Sequence, residues 1–145
     1  MRSIAVCVLL LFLTCAALAQ QLPDPEFNTS VENPAYQRSG PRVMFDEAHH
    51  NFHTADGRYK PFVDLLVQDG YQVIRNRKPF TKASLASFKV LVIANALGAE
   101  EMDDDGSDQP AFTEEEVQAV YDWVHGGGAL LLIADHAPFG AAAAS

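Results

Sequence analysis

The chain has 145 residues, a length that suits one domain of modest size. Its 19 acidic residues outnumber the 10 lysines and arginines, and the resulting formal charge of -9 repels the phosphates of nucleic acids. We therefore expect no nucleic-acid partner. No apolar run reaches the roughly 20 residues that cross a bilayer, so we also expect no membrane span.

The first 19 residues have the features of a cleaved secretory signal. One positive charge precedes an apolar run over residues 4–13, and Ala17-Leu18-Ala19 has the small-x-small form of a cleavage site. We predict that residues 1–19 are a signal peptide. Cleavage near Ala19 would then release a secreted or periplasmic protein.

Both cysteines lie within this predicted signal, at Cys7 and Cys15. The mature chain would therefore have no thiol, although disulfides are permitted in the compartment that it enters. Thiolate catalysis and cysteine-bound metal sites are excluded on this interpretation. Lipidation of Cys15 is the lesser alternative, because Leu13 and Thr14 fit poorly before a lipidated cysteine.

The segment after the signal is rich in proline and polar residues. Residues 20–40 show no apolar period of 2 or 3.6, so we predict an extended linker there. The remaining residues, 41–145, are predicted to form one α/β domain that the chain leaves incomplete at its carboxyl end.

Strands and helices alternate along this domain. Short apolar runs predict strands over residues 42–45, 71–74, 89–94 and 129–134, and helices are predicted from Pro61, Thr81 and Thr113. Thr113-Glu114-Glu115-Glu116 has the sequence of a capping box, and Gly126 marks the end of the third helix. The alternation predicts an open, mostly parallel sheet with helices on both faces.

Two of these elements carry more specific expectations. The continuous aliphatic sequence of residues 129–134 predicts a strand buried on both faces. In the third helix an apolar stripe of Val117, Val120, Tyr121 and Val124 is expected to face the core, and Trp123 lies beside that stripe.

Polar residues follow three of the predicted strands. In an open parallel sheet ligands bind beyond the carboxyl ends of the strands, so these residues are expected to converge on one site. We predict four catalytic residues, which are Asp46, His49, Asp135 and His136. We also predict four ligand-binding residues, which are Glu47, His50, Asn51 and Asn95.

Three of the five histidines in the chain fall within residues 49–53, and the sequence leaves their chemistry open. His49 and His53 are four residues apart and would share one face of a helical turn, which favours a divalent-metal site. A histidine oriented by Asp46 or Asp135 would instead serve in acid/base chemistry. Histidines that pack or cap the loop through hydrogen bonds are the third interpretation.

Two motifs resemble a known superfamily. One is the segment from Gly126 to His136, with its Gly-Gly-Gly turn and Ala-Asp-His end, and the other is the segment from Asp46 to His53. Together they are similar to a secreted bacterial branch of the class I glutamine amidotransferase-like superfamily, a branch carried as a domain of unknown function. The resemblance covers roughly residues 41–140 and implies a flavodoxin-like sheet with its site at the strand ends.

Catalytic amidotransferases of this superfamily place a cysteine at a sharp turn after a strand. The most similar turn here is Asp135-His136-Ala137, so the resemblance argues against glutamine hydrolysis. Sugar-associated members also end a Gly-Gly-Gly strand with a histidine, which implies a role for His136. We expect either a hydrolase acting on a small polar or sugar-like ligand or a non-catalytic module that binds a ligand or partner on the same fold.

Overall fold

The computed structural model describes residues 22–144, and the predicted signal peptide lies outside them. The described chain contains four strands and four helices, named here in chain order: β1 (Arg42–Asp46), α1 (Lys60–Gln68), β2 (Gln72–Asn76), α2 (Lys82–Leu85), β3 (Val90–Ala94), α3 (Glu114–His125), β4 (Ala129–Ile133) and α4 (Phe139–Ala142). None of these helices has the length and apolar character that crossing a bilayer requires.

All four strands run parallel in one sheet, in the order β2-β1-β3-β4. This arrangement confirms the predicted open α/β sheet and is consistent with a flavodoxin-like fold. The chain adds β2 on one side of β1 and β3 on the other, so the strand order reverses between β1 and β3. Asp46 and Asn95 lie at the carboxyl ends of these two strands, at this switch point.

Local sequence signals explain where the helices begin and end. Thr81 and Thr113 each accept a hydrogen bond from the backbone of the third residue of the following helix, and that residue's side chain bonds back in a capping box. Pro61 lies in the first turn of α1, where its missing N–H costs nothing. Gly70 follows α1 with φ +92°, a conformation that favours glycine.

Apolar residues pack on both faces of the sheet. On one face, α2 and α3 cover a cluster that includes Met44, Leu91 and Ile93. On the other face, α1 covers Phe45 and Val92. The sheet is therefore the middle of three layers, as the sequence predicted.

Strand β4 differs from its predicted environment. Leu130, Leu131 and Leu132 are 38%, 42% and 43% exposed, because β4 is the last strand of the sheet in the described chain. The prediction that this strand is buried on both faces was wrong. Its aliphatic composition suits a central strand, but only β3 pairs with it among the described residues.

Helix α3 is also rotated relative to its predicted orientation. Val120 packs against the core, whereas Tyr121 is 61% exposed and Val117 and Val124 are more than a third exposed. Trp123 turns inward instead and packs so closely over Gly128 that a Cβ there would lie 2.4 Å from the indole ring. Glycine at this position lets the chain pass beneath the ring on its way into β4.

The contrast between β3 and β4 predicts unequal costs for the same substitution. Leu91→Ala empties a site with no solvent exposure, and we expect it to lower the free energy of unfolding by about 3 kcal/mol. The matched control Leu131→Ala, on the exposed strand, should cost less than about 1 kcal/mol. Urea denaturation measures both, and equal costs would contradict the described burial.

Candidate functional site

The carboxyl end of the sheet gathers residues from distant parts of the chain. Strands β1, β3 and β4 end there at Asp46, Ala94 and Ile133, and helix α3 begins there because it follows β3 through a loop. The loop after β1 folds over this end. The amide of Leu97 donates to the carbonyl of His49, and the amide of Phe52 donates to the carbonyl of Asn95 at 2.9 Å.

A buried triad of Asp46, His49 and Glu116 lies beneath this loop. His49 Nδ1 lies 2.8 Å from Oδ2 of Asp46, and His49 Nε2 lies 2.8 Å from Oε1 of Glu116. All three residues are buried. Both ring nitrogens of His49 are therefore engaged by carboxylates, and the imidazole links the end of β1 to the first turn of α3.

The carboxylates of the buried triad have further partners. Oε1 of Glu116 accepts the backbone N–H of Phe80, and Oε2 accepts that of Thr113. Oδ1 of Asp46 accepts Nδ2 of Asn76 on the neighbouring strand at 3.3 Å. A buried charge is tolerated when such bonds replace its lost hydration.

The sequence analysis does not single out Glu116 as a site residue, because its motif predicts only the last residue of a capping box. It does complete that box, since its amide lies 3.3 Å from Oγ1 of Thr113. A signal was nevertheless available. The helix that follows a strand in a parallel α/β sheet starts at the carboxyl end, so its first turn reaches the predicted site.

Burial and pairing act against each other on the titration of the triad. Burial lowers the pKa of His49, but the hydrogen bonds and charges of Asp46 and Glu116 outweigh it and raise the pKa above its usual value. Burial raises the pKa of Glu116, but the hydrogen bonds from Thr113, His49 and Phe80 lower it overall. The triad therefore favours an imidazolium between two carboxylates.

A second group, Asn95, Asp135 and His136, lies at the ends of β3 and β4 and is called the exposed triad here because two of its members are half exposed, although Asn95 is buried. Asn95 Nδ2 donates to Oδ1 of Asp135 at 2.9 Å, and Nδ1 of His136 lies 3.0 Å from the same oxygen. The side chains of Asp135 and His136 are about half exposed, at 47% and 54%. Burial raises the pKa of Asp135, but the bonds from Asn95 and His136 lower it overall.

The loop after β1 contributes His50, Asn51 and His53 to this end of the sheet, and their environments differ. His50 is exposed and has φ +48°. Asn51 is buried and accepts the amide of His49 on its Oδ1 at 3.0 Å. His53 is buried and stacks on Tyr59 with ring centroids 4.9 Å apart, and burial together with the charge of Arg58 lowers its pKa.

Three polar atoms of this region have no hydrogen-bond partner. They are Nδ2 of Asn51, Nδ1 of His53 and Oδ1 of Asn95. Within residues 22–144, no other buried side-chain nitrogen or oxygen lacks a partner. Buried polar groups in folded proteins are nearly always paired, so an unpaired one calls for an explanation. Their concentration at the carboxyl end marks this region as the candidate site.

Glu47 is held away from this group. Its carboxylate is buried and accepts from Nε of Arg75 at 2.9 Å, from Nε of Arg77 at 3.2 Å and from the amide of Ala55. These bonds connect the loop after β1 to β2. The structure thus gives Glu47 partners within the chain, and its predicted role in ligand binding stays a prediction.

The predicted catalytic residues form two pairs. Asp46 contacts His49, and Asp135 contacts His136, with Asn95 bonded to the second pair. His49 and His53 do not meet in one cluster, and no group of three or more metal-ligating side chains within residues 22–144 is placed to hold an ion. The predicted divalent-metal site therefore stays a prediction.

Comparison of the chain with protein-family models, with curated proteins and with solved structures found no match.

The buried triad predicts a large cost for removing Glu116. Glu116→Ala leaves the His49 imidazolium and the amides of Phe80 and Thr113 without their acceptor, and we expect a loss of about 3 kcal/mol of unfolding free energy. Glu115→Ala, on the exposed side of the same helical turn, is the matched control and should cost less than about 1 kcal/mol. Similar losses in urea denaturation would show that the triad contributes little.

The raised pKa of His49 also predicts how stability depends on pH. Its contribution is complete below its unfolded value of about 6.5 and is lost as pH rises through the higher folded value. Glu116, with its lowered pKa, loses its contribution as pH falls below about 4.5. Unfolding free energy measured from pH 5 to 9 should therefore fall above pH 6.5. His49→Gln should remove this fall, and His125→Gln, at an exposed histidine, should retain it.

Proposed function

We propose that this chain is a secreted or periplasmic, amidotransferase-like domain whose carboxyl-end site acts on a small polar or sugar-like ligand without a cysteine nucleophile. The observation that carries the proposal is the set of three buried, unpaired polar atoms on Asn51, His53 and Asn95. A polar ligand over this end of the sheet would supply their missing partners.

The exposed triad supports a hydrolytic role. The carboxylate of Asp135 accepts from Nδ1 of His136, and this bond favours the tautomer whose lone pair is on Nε2. Asn95 holds the carboxylate from the other side. His136 Nε2 would take a proton from a water molecule as that water attacks the ligand, and the imidazolium would then return the proton to the leaving group.

A non-catalytic binding module is the second candidate. The observation that favours it is the position of His49, which has both ring nitrogens bound to carboxylates and so offers none to a ligand. In that case the buried triad would hold the loop in place, and the exposed triad would recognise a ligand or partner without changing it.

Chromogenic substrates distinguish these candidates. We would assay p-nitrophenyl glycosides and p-nitrophenyl esters with the wild-type chain, with His136→Ala and with His125→Ala. His125 is a suitable control because it is also exposed but lies at the far end of α3. If His136 is the base, His136→Ala should lower kcat at least about 100-fold, and His125→Ala should retain full activity.

Two outcomes would contradict the hydrolase. Equal activity in the two histidine variants would place any catalysis elsewhere. No turnover of any substrate by a folded wild-type chain that still binds a ligand at the carboxyl end would instead favour the binding module.

A further inference from the structure

We propose that the group recognised at this site is uncharged and both donates and accepts hydrogen bonds, as a pair of hydroxyls or a primary carboxamide does, and that Asn51 and Asn95 select it. This inference rests on the proposed function, because it specifies the ligand of the same site. Its basis is the orientation of the two asparagine amides, which the surrounding network determines.

The atom that Asn51 leaves unpaired is a donor. Its Oδ1 accepts the backbone N–H of His49 at 3.0 Å, and a backbone N–H cannot accept. The oxygen of the amide is therefore the atom facing His49, and the nitrogen is the atom left without a partner. Asn51 is 9% exposed, so solvent satisfies this N–H group poorly.

The atom that Asn95 leaves unpaired is an acceptor. Its Nδ2 donates to the carboxylate of Asp135 at 2.9 Å, and the lowered pKa of Asp135 keeps that carboxylate ionised. The amide nitrogen must therefore face Asp135, and Oδ1 is the unpaired atom. Asn95 has no solvent exposure.

The two amides lie on segments that are joined directly. Phe52, between Asn51 and His53, donates its backbone N–H to the carbonyl of Asn95 at 2.9 Å. Asn51 and His53, which flank Phe52 in the sequence, are thus held beside Asn95 at the carboxyl end. His53 matches either kind of ligand group, since its Nδ1 donates or accepts according to its tautomer.

This pattern discriminates against charged ligands. A carboxylate or phosphate has no donor for Asn95 and would face the charge of Asp135, whereas an ammonium group has no acceptor for Asn51. Arg58 is the one lysine or arginine within residues 47–59, and its guanidinium lies over the ring of Phe52, 4.0 Å from the centroid. A hydroxyl pair or a carboxamide carries both the acceptor that Asn51 lacks and the donor that Asn95 lacks.

Four probes of matched size test the selection: 1,2-propanediol, propionamide, propionate and propylammonium. We would titrate each into the uniformly ¹⁵N-labelled full chain and follow the side-chain amide signals of Asn51 and Asn95 by NMR. We expect saturable shifts of the Asn51 signal with 1,2-propanediol, propionamide or both, with dissociation constants on the order of millimolar. Propionate and propylammonium should give none.

A single-atom change provides the matched variant. Asn51→Asp keeps the oxygen that accepts from His49 and replaces the donor by a second acceptor, so it should abolish binding of the neutral probes. Asn28→Asp is the control. Like Asn51, Asn28 accepts the backbone amide of a residue two positions away, here Ser30, but it lies in the exposed segment before the domain. It should bind the neutral probes as the wild type does.

The outcomes separate this inference from the proposed function. Shifts at the carboxyl end with propionate or propylammonium alone would overturn the neutral selection and leave the ligand site intact. Unchanged binding of the neutral probes by Asn51→Asp would overturn the role of Asn51. No response of residues 49–53, 95 and 135–136 to any probe would count against the ligand site itself. A response to only one neutral probe supports the inference and identifies which group is recognised.

Discussion

The geometry of the carboxyl end depends on the burial of His49 between two carboxylates. A charged imidazole and two acids can remain in the interior only if each finds partners, and here they find them in one another and in the amides of Phe80 and Thr113. These bonds connect the end of β1, the chain before α2 and the first turn of α3. The backbone of His49 then holds Asn51 through its N–H and Leu97 through its carbonyl, so the loop takes its position from the buried triad.

The two triads therefore have different physical roles. In the buried triad both ring nitrogens of His49 are bound to carboxylates, so the imidazole has no nitrogen left for a ligand. The exposed triad shares the single oxygen Oδ1 of Asp135 between Asn95 and His136, which leaves groups at the surface that can still bind. This division is what a functional site requires, because a ligand is recognised precisely enough only when the residues that bind it are held by others that do not move.

Much of this arrangement could be predicted from the sequence, and the exceptions have physical reasons. Alternating apolar runs and capping signals predicted the parallel sheet, and the sheet in turn predicted that Asn95 and Asp135 lie together at its carboxyl end, where they are hydrogen-bonded. The contact between Glu116 and His49 spans 67 residues, and a capping glutamate has the same sequence whether or not its carboxylate also reaches a histidine.

The exposure of β4 could not be predicted either, because aliphatic composition indicates that a strand can be buried and not how many strands pair with it. The rotation of α3 depends on Trp123 packing over Gly128, a contact between a helix and the turn after it that apolar periodicity does not encode.

Backbone conformation adds a reason to connect the two sides of the site. Only His50 and Asn95 have positive φ among the non-glycine residues of the described chain, at 48° and 52°, and both lie at the carboxyl end. Such conformations cost on the order of 1 kcal/mol or more and persist when the surroundings hold them. At Asn95 three bonds do so: its amide donates to Ile133, its carbonyl accepts from Phe52, and its side chain donates to Asp135. None of these bonds involves Oδ1, so the network that fixes the strained residue leaves a buried acceptor without a donor.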